Sequence, residues 1–136
     1  MAAIPIALYG VQVEISRKVQ EALLPEYDVV HVVLTRQAAE EELPALLSGN
    51  TSITPSSGVG SNVERPVPER LIPRVLAFST GVSDADLEAA VKATGIAAGA
   101  YTRPDASEVR AQGAVGQDPG AYARALKIKL SELGFK

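Results

Sequence analysis

Cysteine and tryptophan are both missing from this 136-residue chain, and histidine occurs once. Without cysteine there is no disulfide, no thiolate nucleophile and no cysteine-based zinc site. A single histidine nearly excludes histidine-based metal sites as well. Four Tyr and two Phe are the only aromatic residues, too little ring surface for a single-strand nucleic-acid reader that stacks bases. An excess of charge of one sign is also missing. The 13 basic and 16 acidic residues are interspersed and sum to −3, so no basic face marks a phosphate backbone or an anionic lipid surface. No run approaches the roughly 20 apolar residues of a bilayer span. Residues 1–6 lack the basic and long apolar regions of a signal peptide and read as a strand. These absences predict a cytoplasmic protein with no nucleic-acid or membrane partner, no metal and no cofactor.

What is present is an aliphatic core. Hydrophobic residues make up 46% of the chain, enough for one domain of this length to fold without a staple. Two strand-to-turn-to-helix passages organise it: residues 4–9 close on Gly10, and residues 74–78 close on Ser79-Thr80-Gly81. After the first, Ile15, Val19, Ala22 and Leu23 recur at helical spacing and stop before Pro25. Residues 29–34, five aliphatic side chains around His31, form a second strand. Thr35 then caps a helix that Pro44 kinks or restarts, with Glu40, Glu41 and Glu42 on its solvent side. Val75–Phe78 is the third strand, and Ser83 with Asp86 opens a helix that Gly95 closes. Residues 96–101 form a weak, small-residue fourth strand. Asp118 and Pro119 start a terminal helix with a stripe of Tyr122, Leu126, Leu130 and Leu133.

Alternation of strands and helices predicts an α/β domain over residues 1–136, an open parallel four-stranded sheet in order 2-1-3-4 with helices on both faces, of Rossmann-like or flavodoxin-like kind. Residues 48–73 interrupt it with a long Gly/Ser/Pro-rich loop centred on Ser56-Ser57-Gly58-Val59-Gly60-Ser61-Asn62. A connection of that length is commonly functional or disordered. In such sheets ligands collect at the carboxyl ends of the strands, here between strands 1 and 3.

Candidate residues follow from that location. Gly10 lacks the companion glycines of a dinucleotide fingerprint. Ser79 and Thr80 feed a helix N-terminus whose free amides suit an anion, or they form an ordinary capped turn. His31 lies mid-strand, where a packed structural role outweighs acid–base chemistry. Tyr101-Thr102-Arg103-Pro104-Asp105 gathers a phenol, a guanidinium and a carboxylate on one loop. Arg103 would clamp a carboxylate and Tyr101 or Asp105 would move a proton. Equally, Asp105 or Ser107 would cap a short helix near Glu108 while Arg103 pairs with a surface acid. Tyr9 points to the same crevice or its rim.

The segment from Pro73 to Asp86, followed by Tyr101-Thr102-Arg103-Pro104-Asp105 and joined to the Ser-Ser-Gly-Val-Gly-Ser-Asn loop, resembles small fungal proteins of Rossmann-like appearance. The resemblance covers most of the chain. It implies the fold and a eukaryotic, intracellular setting, and carries over no catalytic residue. At Ser79-Thr80 the chain departs from the more glycine-rich turn expected there.

Two functions compete. The first is a small-molecule binder for an organic ligand such as a carboxylate, or a cofactor-independent enzyme of isomerase, cyclase or lyase type. Tyr101 and Asp105 would be its catalytic residues, Tyr9, Ser79, Thr80 and Arg103 would bind substrate, and the 48–73 loop would cover the crevice. The alternative is a non-enzymatic homo-oligomeric interaction domain, because a short sheet leaves strand edges that need cover. A homodimer is expected under both.

Overall fold

Ile4–Tyr9 (β1) lies at the centre of the sheet, its last four residues buried. The computed structural model of the protein describes residues 2–136. From β1 the chain enters Val13–Leu23 (α1), which buries Ser16, Val19 and Leu23. Tyr27–Val33 (β2), buried along its whole length, follows. Arg36–Leu47 (α2) begins where the Thr35 hydroxyl accepts the Ala38 N–H at 3.1 Å, and it runs through Pro44 without a break. Val75–Phe78 (β3) leads into Asp84–Thr94 (α3), capped by Ser83 accepting the Asp86 N–H and closed by left-handed Gly95. Tyr101–Thr102 (β4), Ala106–Arg110 (α4) and Pro119–Glu132 (α5) complete the chain.

All pairings are parallel and the strand order is β2-β1-β3-β4, the expected α/β arrangement. Alternate residues of β1 serve opposite faces, as a two-residue repeat requires. Ile6 and Leu8 join Val19, Leu23, Leu126 and Leu130 under α1 and α5. Ala7 and Tyr9 join Ala39, Leu43 and Ala90 under α2 and α3.

Three expectations change. The fourth strand shrinks to two residues, because the Ala100 N–H turns back to the Ala97 carbonyl at 3.0 Å and Gly99 adopts positive φ. Residues 96–100 lie outside the strand, with a turn at 98–99. Glu42 does not face solvent with Glu40 and Glu41: it is buried. It lies three and four residues from Ala39, Ala38 and Leu46, which places it on the inner stripe of α2.

The third change concerns residues 48–73, which were expected over the crevice. They instead run as a strap along the outer edge of β2. The Val32 N–H donates to the Val59 carbonyl at 3.1 Å and the Ser57 hydroxyl donates to the Val32 carbonyl at 2.6 Å. Arg65 reaches the Asp28 carboxylate at 2.7 Å. An edge strand has unpaired backbone groups, and the strap satisfies them from within the chain.

Asn62 holds the strap in shape. Fully buried, its amide donates to the Leu71 carbonyl at 2.9 Å and its carbonyl accepts the Leu71 N–H at 3.0 Å. Asn62→Ala leaves both backbone groups unpaired, and we expect a loss of about 2 kcal/mol in urea unfolding. An unchanged midpoint would show that the strap contributes nothing through this residue.

Candidate functional site

At the carboxyl edge of the sheet, α1 and α5 both begin, and α4 lies beside them. Thr80 and Gly81 after β3, Ile15 in the first turn of α1 and Asp118 and Pro119 at the start of α5 line one void, which places both helix starts at this edge. The gap between these helices is a cavity of about 460 Å³. Ile15, Ala106, Val109, Ala114, Pro119 and the ring of Tyr122 supply apolar wall. Thr80, Arg110, Gln117 and Asp118 supply its polar groups.

Most of those polar groups already have work. Asp118 accepts the Ala121 N–H at 3.0 Å as the α5 cap. The Thr80 hydroxyl donates to the Pro104 carbonyl at 2.9 Å, which ties the β3 turn to the segment after β4. The Tyr122 hydroxyl donates to the Phe78 carbonyl at 2.6 Å, and burial pushes its pKa up. It is fixed as a neutral donor. Two acids just outside the cavity are also engaged: Glu108 pairs with Lys129 at 2.6 Å, and Asp105 caps α4. Arg110 and Gln117 have no side-chain hydrogen bond or ion pair with any described residue, and both are exposed.

The six residues expected to share a site are dispersed. Thr80 lines the cavity. Ser79 is occupied in its own turn, where its hydroxyl accepts the Gly81 N–H at 3.3 Å. Tyr9 and Tyr101 lie on the opposite face of the sheet, flanking Phe78 with ring centroids 5.8 and 6.3 Å away. Strand parity is the reason for Tyr9, which shares its face of the sheet with Ala7 and not with Leu8. Burial raises the Tyr9 pKa, with Asp86 adding to the rise.

Arg103 donates to the Val82 carbonyl at 2.7 Å and pairs with Asp84, bracing the chain after β4 against the start of α3. Asp105 accepts the Glu108 N–H at 2.8 Å and the Ser107 hydroxyl at 2.6 Å, while the Glu108 side chain accepts the Asp105 N–H. The Ser107 hydroxyl, followed by the Glu108 amide, holds the Asp105 carboxyl below its usual range. This is a capping box.

Gly10 serves close packing. A Cβ there would collide with the Ser16 hydroxyl, so glycine lets the first turn of α1 press against the end of β1. The cavity residues Ile15, Val109, Arg110, Gln117 and Tyr122 were not legible as a site. The available signal was topological: a helix as short as α4, then Gly113 and Gly116, then Asp118-Pro119 returns the chain over the carboxyl edge.

On the α2 face, a second cluster surrounds His31. Its Nε2 lies 2.8 Å from a Glu42 carboxylate oxygen, and Glu42 also accepts the Ser56 N–H at 3.2 Å and the Ser56 hydroxyl. Burial lowers the His31 pKa, an effect that outweighs the opposing bond to Glu42. A register shift between Ile6 and Ala7 pairs Ile6 with Val29 but Ala7 with His31, so Val30 is an extra residue. Parity therefore inverts within β2: Tyr27 and Val29 face α1, whereas Val33 faces α2 with His31.

A 55-residue stretch, 39% of this chain, is 42% identical to Kojic acid related protein 6 of Aspergillus oryzae (strain ATCC 42149 / RIB 40). The match spans 35% of that protein's length. The chain is thus similar, over part of its length, to a fungal protein. No protein-family model and no solved structure matches it.

Proposed function

We propose that this protein binds a small organic molecule in the cavity between α1, α4 and α5. The supporting observation is a void of about 460 Å³ between the turn after β3 and the first turns of α1 and α5, with apolar walls and two polar side chains, Arg110 and Gln117, that no described residue engages. Its size falls within the range of small-molecule sites, and its place is where parallel sheets bind ligands.

Binding is favoured over proton transfer by the lining itself. The ionisable side chains there are Arg110, Asp118 and Tyr122. An arginine stays charged, the aspartate is spent on a helix cap and the phenol on a carbonyl. The interaction-domain reading loses one of its arguments, because the chain's own strap covers the β2 edge.

A thermal-shift screen tests the reading. A ligand at about 100 times its Kd stabilises the native state by about 2.7 kcal/mol. Kojic acid belongs in the screen because the relative's name associates that protein with it. Matched acids, alcohols and amines on apolar bodies complete the set. Ala114→Trp fills the cavity and should abolish every genuine shift. No shift from any compound, or shifts that survive Ala114→Trp, would refute the assignment.

A further inference from the structure

The charges around the cavity narrow its ligand to one class. Arg110 is the one cation in the lining. The acids nearest in sequence are committed elsewhere: Glu108 to Lys129, Asp105 to the α4 cap and Asp118 to the α5 cap. An arginine without a carboxylate of its own, beside Ile15, Val109, Ala114 and Pro119, offers a planar fork that matches a carboxylate in two parallel bonds. We propose that the cavity takes an apolar-bodied monocarboxylate, anchored by Arg110, with its hydrophobic part against α1 and α5. This rests on the binding function above and extends it to a ligand class.

A phosphate ester fits the same surroundings less well. It carries close to two negative charges against a single guanidinium, with the Asp118 carboxylate in the same lining. A monocarboxylate brings half that charge to Arg110 and so adds less repulsion from Asp118. The Gln117 amide adds a neutral donor and acceptor for the ligand's second oxygen or a substituent. Arg103, the sequence-based choice for this clamp, is already held by Val82 and Asp84.

Isothermal titration of the full chain with phenylbutyrate, phenylbutanol and phenyl phosphate tests the class. Phenylbutyrate should bind at least tenfold more tightly than phenylbutanol, the gain expected of a charge-assisted hydrogen bond. Arg110→Ala should erase that margin, leave the weak binding of the alcohol unchanged, and leave the unfolding midpoint near wild type because the side chain is exposed. Arg110→Lys should keep part of it. Equal binding of acid and alcohol, tighter binding of phenyl phosphate, or an acid affinity indifferent to Arg110→Ala would overturn the proposal while leaving the cavity a binding site. Failure of all three compounds to bind, with amines or neutral compounds from the screen still shifting the wild type, would also overturn it. An empty cavity in every assay would remove both readings.

Discussion

Replacing Gly60 by alanine is expected to cost about 3 kcal/mol or more and to lower the melting temperature by roughly 10 °C for a domain of this size. Two independent effects coincide at this position. Its φ is +129° with ψ of 145°, a conformation that essentially only glycine adopts. A Cβ would also meet backbone, the carbonyl oxygen of Val30, and lie 2.8 Å from the His31 Cα. Backbone cannot rotate aside as a side chain does, so the strap must lift.

Lifting it has further consequences. Val59 is 1% exposed and would return to water. The Val32 N–H and carbonyl would lose the Val59 and Ser57 bonds. A bare parallel edge then invites pairing between copies, so Gly60→Ala should show concentration-dependent association. Gly58→Ala is the matched comparison: φ is +73° but nothing lies within 4 Å of its Cβ. Only conformational strain remains, about 1 kcal/mol. Equal losses for the two variants in thermal unfolding would show that close approach to β2 is not what glycine provides at position 60.

The strap shows why local and long-range information differ in legibility. Thr35, Ser83, Asp118 and Gly95 act within four residues of themselves, and each caps the helix end that its local sequence marks. The strand order also follows, because alternating strands and helices admit few right-handed windings. Residues 48–73 carry no periodicity, and their partners on β2 lie 25 to 37 residues away in sequence. Gly58-Val59-Gly60 therefore read as a lid or a disordered loop. Glycine at position 60 answers to a strand it reaches only after folding.

The candidate site divides along the same line. Thr80 was accessible from the rule that strand ends carry ligands, and it does line the cavity. Tyr9 and Tyr101 satisfy that rule too, yet both lie against Phe78 on the other face. Asp105 carried two readings, and the cap is the one the geometry displays. Arg110 and Gln117 belong to a short helix and a loop without periodic pattern, so only the assembled sheet edge brings them to one void.

His31 and Glu42 give the fold a dependence on pH that the same loss of parity conceals. His31 is wholly buried, and burial lowers its pKa below the ordinary value of 6.5 despite its bond to Glu42; the Arg70 charge acts in the same direction as burial. The unfolded chain therefore takes up a proton near pH 6.5 that the native state refuses. Stability from this group is fully present above that value and declines as pH falls toward the folded pKa, with a limiting slope of about 1.4 kcal/mol per pH unit. Between pH 7.5 and 5.5, above the ordinary titration range of carboxylates, urea midpoints of the wild type should fall. Those of His31→Gln should stay nearly level. Glu42→Ala should cost about 3 kcal/mol at neutral pH, since it strands the His31 Nε2 and frees Ser56 in the strap. Ser56→Ala, which removes one exposed hydroxyl, should cost about 1 kcal/mol. A level wild-type profile, or an equal slope in His31→Gln, would show that the histidine is protonated alike in both states. Midpoints that rise as pH falls, in the wild type but not in His31→Gln, would instead mark the Glu42 contact as an ionic bridge to a protonated imidazole.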